Sequence, residues 1–187
     1  QITVGRIVRG QPTADLINAQ EATLTGIEIE MLAQLSENWA VTLAYGHLDG
    51  EYDQFTVEDN IYDPITLVES IVTRDLSGTA FGNGGKQDTL DVSFIHTTSL
   101  PSGGDLVSVI GVTRKDDQWF SLENTPTSFT PGYTLMDGRV TWNLSDGVTS
   151  ISFWGNNLTD KDYIFNMLDQ AGDVQIGGTN PSLGMVA

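Results

Sequence analysis

Apolar and polar residues alternate along much of this chain, and the alternation is clearest between residues 23 and 35. One set of alternate positions there is apolar: Ile27, Ile29, Met31, Ala33 and Leu35. The other set is polar or small, with Leu32 as the exception: Gly26, Glu28, Glu30 and Gln34. Because successive side chains of a strand point to opposite faces, this pattern predicts a strand with one apolar face.

The same pattern returns further along the chain, less cleanly in its middle, at residues 39–48, 88–99, 106–114, 133–144 and 148–156. We expect one more strand to begin near residue 182. Short turn-forming segments lie at residues 36–38, 101–104 and 145–147, and long polar segments lie at 49–87, 116–132 and 157–181. Short turns thus alternate with long loops, between strands of about ten residues, where about five or six is usual.

A helix is predicted inside the first long polar segment. Asp63 and Pro64 are followed there by ITLVESIVTR. Aspartate is a common N-cap and proline suits the first helical position, so we expect one or two amphipathic helical turns.

Two all-β architectures fit this order of elements. A soluble β-sandwich that binds carbohydrate would contain alternating strands and glycine-rich turns. An antiparallel transmembrane β-barrel also explains the strand length, and it places every long loop at one end. Aromatic residues near strand ends suit the two interfaces of a membrane: Trp39 beside a short turn, and Tyr45, Tyr52, Trp119, Tyr133 and Tyr163 near the long loops. The pattern favours the barrel, with the sandwich as the alternative.

Composition and charge narrow the function classes. The chain has 187 residues and a formal net charge of −17, from 25 acidic and 8 basic residues. So much negative charge opposes binding to nucleic acid. The absence of cysteine excludes disulfides, thiolate metal sites and thiol nucleophiles within this sequence. No apolar run is long enough for a transmembrane helix, and no signal peptide precedes QITVGRIV, so we expect an excised or processed piece.

The predicted polar face carries the first group of candidate residues. Glu28 and Glu30 share one face of a strand, as do Asp137 and Arg139. A carboxylate pair can serve acid–base work or bind a cation. We instead expect a water-facing barrel wall that also includes Asp91, with a salt bridge between Asp137 and Arg139.

The long loops carry the second group of candidates. Trp119 and Phe120 are aromatic residues that could stack on a sugar or a catecholate, or could pack the loop itself. With the adjacent Asp116 and Asp117 they form the candidate ligand site. The acidic residues between 49 and 63 could hold Ca²⁺, but they lack EF-hand spacing, and a solvated loop is the simpler interpretation.

We predict no catalytic residue, metal site or cofactor. His47 and His96 stand alone in their segments, and no nucleophile-elbow or P-loop spacing occurs. Asn157-Leu158-Thr159 matches a glycosylation acceptor. The alternation before it indicates instead the border between a strand and an outer loop.

Three segments carry a resemblance to a known family. NAQEATLTGIEIEMLAQLSENWAVTLAYGHLDGEYDQF, residues 18–55, resembles a late hairpin of the TonB-dependent outer-membrane receptors, with its Asn-Ala-x-x-Ala start and its Gly-Ile-Glu-Ile-Glu core. YTLMDGRVTWNLSDGVTSISFWGNNLTDKDY, residues 133–163, is similar to the next-to-last hairpin, which ends in Gly-x-Asn-Leu-Thr-Asp-x-x-Tyr. KDDQWFSLENTP, residues 115–126, fits between them.

The resemblance implies a fold, a function and partners. The family's barrel is closed by a plug domain and has about 22 strands, of which this chain would supply about seven or eight as the C-terminal portion. The implied function is active uptake of a ferric siderophore, cobalamin or an oligosaccharide across a Gram-negative outer membrane. The implied partners are the TonB complex, reached through an N-terminal part not present here, and outer-membrane lipid and lipopolysaccharide. A porin-like passive channel is a further option.

The end of the chain departs from the family's pattern. The last strand of the family carries an aromatic residue where Leu183 stands, and residues 180–187 stop early. We therefore expect a piece of a longer barrel, without the plug and the earlier strands.

Overall fold

A computed structural model describes residues 2–8, 11–62, 65–66, 68–82, 85–168 and 183–186. The chain is all-β there, apart from one 3-10 turn at Pro126–Ser128. The strands are β1 Ile2–Val8, β2 Gln11–Ile17, β3 Glu21–Gln34, β4 Trp39–Gln54, β5 Thr56–Tyr62, β6 Glu69–Asp75, β7 Lys86–Ser99, β8 Asp105–Lys115, β9 Gln118–Trp119, β10 Phe129–Thr130, β11 Tyr133–Asn143, β12 Ser150–Gly155, β13 Ile164–Leu168 and β14 Leu183–Val186. Among the described residues, no helix is long and apolar enough to cross a membrane.

Six strands form the main sheet, in the order β12-β11-β8-β7-β4-β3. Each pairs antiparallel with its neighbour, and the sheet is open, with β3 and β12 at its edges. The connections β3–β4, β7–β8 and β11–β12 are short, and they all lie at one end, which we name the short-turn end. The connections β4–β7 and β8–β11 lie at the opposite, long-loop end. The predicted strands and the predicted alternation of turns and loops are confirmed.

The long loops contain more structure than their polar sequences predict. β4 continues to Gln54, and β5 and β6 form a hairpin beyond it. β9 pairs with β10 inside the second long segment, and β13, inside the third, pairs with β14 after it. β1 and β2 form a further hairpin, whose strand β1 contacts β5. These hairpin strands add to the six strands of the main sheet, and the predicted all-β antiparallel fold class is confirmed.

The predicted helix after Pro64 is wrong. Glu69–Asp75 forms strand β6, paired with β5 so that Ile71 lies opposite Asn60 and Thr73 opposite Glu58. The β-branched residues of SIVT disfavour a helix and suit a strand, and cross-strand pairing decides the outcome. Asp63 and Pro64, the predicted cap, lie outside the described residues.

The main sheet has one apolar and one polar face, because residues paired across an antiparallel sheet share a face. One complete row of the apolar face crosses five strands: Met31, Leu43, Val92, Val112 and Met136. Many large side chains of this face are exposed, including Ile27 at 60% and Ile29 at 51%. Trp39 borders it at the short-turn end, where its ring lies 4.3 Å from that of His96. His47, Asp88 and Arg114 are polar residues of the same face near the long-loop end.

No second sheet covers this apolar face within the described part of the chain, since each strand contacts mainly its hydrogen-bonded neighbours. A β-sandwich requires such a second layer. The buried cluster of Tyr52, Phe55, Val57 and Leu76 lies instead among the loops, with Ala19, Phe81 and Leu122 packed around it. We call this cluster the loop core. The sandwich interpretation therefore has no support in this fold.

Candidate functional site

A cavity of about 420 Å³ opens at the long-loop end, where β4 and β7 meet the two long loops. We call it the rim cavity. Strands β4 and β7 contribute His47, Leu48, Glu51, Lys86, Gln87 and Asp88, and the loops contribute Gly78, Ala80, Asp116, Asp117, Trp119 and Asn124. Three of the four residues predicted as a ligand site, Asp116, Asp117 and Trp119, are therefore brought together.

Two contacts between polar side chains of β4 and β7 lie beside the rim cavity. His47 Nδ1 lies 2.6 Å from Asp88 Oδ1, and the Tyr45 hydroxyl donates to the same oxygen over 3.1 Å. Lys86 Nζ lies 3.3 Å from Asp49 Oδ1. Both pairs join directly opposed residues of β4 and β7, so the antiparallel register itself assembles them.

The aromatic wall of the cavity comes from Trp119. β9 pairs with β10 so that Trp119 lies opposite Phe129, with ring centroids 5.3 Å apart. Phe120 does not line the cavity; its backbone N–H donates to the carbonyl of Ser128. Phe120 follows β9 directly and is not among the residues that line the rim cavity.

Asn124, in the second long segment, joins its loop to the first long segment by hydrogen bonds. The backbone N–H of Ala80 donates to Asn124 Oδ1 over 2.8 Å, and Asn124 Nδ2 donates to the carbonyl of Ala80 over 3.1 Å. The amide thus substitutes for a strand partner. An ion pair between Arg74 Nη1 and Glu123 Oε1, at 3.0 Å, ties the β5–β6 hairpin to the same loop. These contacts hold the cavity walls in place.

The residues predicted as a barrel wall all fall on the polar face. Glu30, Asp91 and Thr113 lie in one row, and the Thr113 hydroxyl donates to Asp91 Oδ1. Asp137 and Arg139 do not form the expected salt bridge: Asp137 Oδ1 accepts the backbone N–H of Asn157 over 2.7 Å. The guanidinium of Arg139 donates to the hydroxyls of Thr141 and Ser152. The carboxylate of Asp137 is therefore engaged by the backbone of the following loop, and the guanidinium of Arg139 by nearby hydroxyl groups.

The segment FWGNNLTDKDY, residues 153–163, forms the end of β12 and a compact turn that packs against the edge of the main sheet. Asn157 has a positive φ of 49°, and its side chain both accepts from the N–H of Lys161 and donates to the carbonyl of Lys161. Leu158 lies across Gly155, where an added Cβ would come within 2.7 Å of the leucine Cδ2. Tyr163 packs on Tyr133, with ring centroids 4.5 Å apart. Gly155, Asn157, Leu158 and Tyr163 therefore have structural roles, in agreement with the border interpretation of the sequence.

The described residues include no group of three or more His, Asp or Glu side chains arranged to hold a metal ion. The described acidic residues considered for Ca²⁺ are spread along β4 and β5: Asp49 pairs with Lys86, and Asp53 accepts from the Thr23 hydroxyl. Asp63 lies outside the described residues.

Sequence reasoning missed several residues of the rim cavity. Lys86 and Asn124 are isolated residues in polar segments, and no spacing in the sequence marks them. His47 and Asp88 become partners only through the pairing of β4 with β7. Aligning the apolar positions of β4 with those of β7 would have placed His47 opposite Asp88.

Comparison with known proteins completes the assignment. The family model for the TonB dependent receptor-like β-barrel matches residues 2–158. Neither the curated proteins nor the solved structures yielded a match. The matched range includes the whole main sheet and the rim cavity, and the family consists of transport receptors, not enzymes. The chain belongs to the TonB-dependent receptor β-barrel family.

Proposed function

We propose that this chain forms part of the wall and the outer loops of an outer-membrane receptor that takes up a scarce ligand. The observation that carries this proposal is the apolar face of the main sheet, which has exposed large side chains and no covering layer in the described part of the chain. In water such a band would promote aggregation, whereas in a bilayer it meets lipid. The family match supports the same role.

The apolar and polar faces of the main sheet would have different roles in such a receptor. Ile27, Ile29 and Phe153 would contact lipid. Glu28, Glu30, Asp91, Asp137 and Arg139 would line the water-filled or plug-filled lumen. The long loops, which carry Asp116, Asp117 and Trp119, would contact the ligand before it passes inward.

We further propose that the chain is the C-terminal portion of a larger barrel, of about 22 strands, completed by earlier strands and a plug. The open edges of the main sheet support this, since unpaired edge strands expose hydrogen-bonding groups that membranes do not tolerate. TonB would supply the energy for uptake, and outer-membrane lipid and lipopolysaccharide would surround the wall.

Uptake by cells tests this function. Cells that express the complete receptor, with the plug and the earlier strands proposed above, are supplied with labelled ferric siderophore, cobalamin or oligosaccharide, and accumulation is measured in strains with and without TonB. We expect accumulation of one of these ligands only when both the protein and TonB are present. Equal accumulation without TonB would indicate a passive, porin-like channel, and no accumulation of any ligand would contradict the receptor role.

A further inference from the structure

We propose that the outer surface of the bilayer crosses the main sheet obliquely, with the strands inclined by about 35° to the membrane normal. The ionic residues at the long-loop end of the apolar face then contact lipid headgroups. The inference rests on the proposed receptor function and specifies how its wall meets the lipid. It follows from the strand register and from the point on each strand where the apolar face becomes polar.

The apolar face ends at a different height on different strands. Its last apolar residues toward the long-loop end, which we call the outer limit, are Ile27 on β3, Tyr45 on β4, Leu90 on β7, Val112 on β8 and Met136 on β11. The next residues of the same face are all polar: Thr25, His47, Asp88, Arg114 and Thr134.

The register makes this outer limit an oblique line. Ile27 lies two residues farther out than Tyr45. Tyr45 is paired with Leu90, so the limit stays level between β4 and β7. Leu90 lies two residues farther out than Val112, which is paired with Met136. The limit therefore moves inward by four residues between β3 and β11, without reversing its direction.

This shift gives the inclination of the strands. Four residues span about 14 Å along a strand, and the four steps between neighbouring strands from β3 to β11 span about 19 Å across the sheet. A flat bilayer surface can follow such a line only if the strands are inclined by about 35° to the membrane normal. Strands of membrane barrels are inclined by about 35–45°. The pattern of side chains thus contains the inclination that a closed barrel requires.

The inner limit of the apolar face moves in the same direction. Trp39 on β4 lies in one row with Val140 on β11, and Trp142 lies two residues farther toward the short-turn end. Both tryptophans are about half exposed, as the aromatic residues of a membrane interface are. Because the two limits move together, the apolar face is an inclined band and not an irregular patch.

The groups just beyond the outer limit identify the part of the lipid that they contact. His47 Nδ1 lies 2.6 Å from Asp88 Oδ1, and the Tyr45 hydroxyl donates to the same oxygen. Such polar groups, together with the exposed Arg114, are too costly to place in hydrocarbon, whereas headgroup phosphates can pair with a guanidinium. The rim cavity opens among these groups, so the residues that β4 and β7 contribute to it lie at the level of the headgroups.

The depth of spin labels in the complete receptor tests the inference. Single cysteines replace Ile27, Met31 or Met136 in a receptor without other cysteines, reconstituted in a lipid bilayer. Depth is calculated from the ratio of relaxation by oxygen to relaxation by a nickel chelate. Met31 and Met136 lie in one row, so strands parallel to the membrane normal would place both labels at equal depth. We expect the Met31→Cys label to lie about 11 Å deeper than the Met136→Cys label, and the Ile27→Cys and Met136→Cys labels to lie at equal depth.

A second comparison and a control keep the test decisive. Equal depths at Met31 and Met136, or an Ile27 label about 14 Å shallower than the Met136 label, would overturn the oblique limit. The comparison of Ile27 with Met136 holds even if Met31→Cys fails to fold. Leu32→Cys, on the polar face, is the control and should not be relaxed mainly by oxygen.

The depths also separate this inference from the proposed function. Three labels in the hydrocarbon at the depths of an upright sheet would leave the lipid-facing wall intact and remove only the oblique limit. Labels relaxed mainly by the nickel chelate at all three positions would contradict the wall and this inference together.

Discussion

Asn157 stabilises the turn that joins strand β12 to the loop after it. Its φ of 49° lies in the left-handed region, which asparagine enters more readily than most residues. Its side-chain amide then makes both hydrogen bonds to the backbone of Lys161, and its own N–H is held by Asp137. The NLT sequence is therefore explained by backbone geometry, without any need for a glycan.

Substitution Asn157→Ala should loosen this turn. The variant loses two hydrogen bonds and places alanine in a strained conformation, at a combined cost of about 2 kcal/mol. Hydrogen exchange at the Lys161 amide should accelerate roughly thirtyfold. Asn156→Ala is the matched control and should leave exchange at that amide unchanged. An Asn157→Ala protein with unaltered exchange at Lys161 would show that the side chain does not hold the loop.

Asp146 fixes the short turn between β11 and β12. Its carboxylate accepts from the Thr149 hydroxyl at 2.6 Å and from the backbone N–H groups of Thr149 and Val148. These bonds, that of the Thr149 hydroxyl first, lower the pKa of Asp146 from 3.8 to about 2. Because the folded pKa is depressed, the stabilisation is present above the ordinary pKa and is lost as pH falls through the lower value.

As the pH is lowered, this turn should therefore open only well below the ordinary aspartate pKa. We expect the Thr149 amide resonance in the NMR spectrum to shift with a midpoint near pH 2, well below the ordinary aspartate range. Asp146→Asn should remove that shift and leave the other aspartates of the chain to titrate as before. A midpoint near the ordinary value would mean that the three hydrogen bonds do not persist in solution.

At the scale of elements, the long loops behave as one packed unit. The loop core buries Phe55 completely, and Asn124 and the Arg74–Glu123 ion pair join the neighbouring loop to it. Such packing limits the motion of the loops and holds the walls of the rim cavity in one arrangement.

Asn124→Ala should separate the two loops. The N–H and carbonyl of Ala80 would lose their partner in a half-buried position, at a cost of about 1–3 kcal/mol. Amides of residues 76–82 should then exchange faster, while those of β7 and β8 keep their protection. Asn38→Ala, in a turn at the opposite end of the sheet, should have no effect on either region. Unchanged amide exchange at residues 76–82 would show that the Asn124 side chain does not hold the two loops together.

The sequence predicted the strands of the main sheet well and the loop elements poorly, for a physical reason. Strands such as β3 have one apolar and one polar face, so the residues from Ile27 to Met31 alternate in polarity and indicate a strand. Strand β6 instead lies in a small hairpin whose pairing and loop core determine its conformation, so a local helix signal was misleading. Asn124 likewise bonds to Ala80, which is 44 residues away in the sequence, so no local pattern indicates its role.

At the scale of the whole molecule, the central claim is that the apolar face meets lipid and the polar face meets water. The chain contains no cysteine, so each cysteine introduced into it is a unique attachment point for a spin label. The register predicts a strict alternation along β3, because Ile27, Ile29, Met31 and Ala33 lie on one face and Glu28, Glu30 and Leu32 on the other. Leu32 is the most informative position, since its apolar side chain belongs to the polar face and is 76% exposed.

The most direct measurement is therefore a spin-label accessibility scan of residues 27–33 in the membrane-inserted protein. Labels at the odd positions should be relaxed mainly by oxygen, which concentrates in the bilayer. Labels at the even positions, including Leu32→Cys, should be relaxed mainly by a water-soluble nickel chelate or be shielded from both reagents by a plug. Nickel accessibility at the odd positions equal to that at the even positions would contradict a lipid-facing wall.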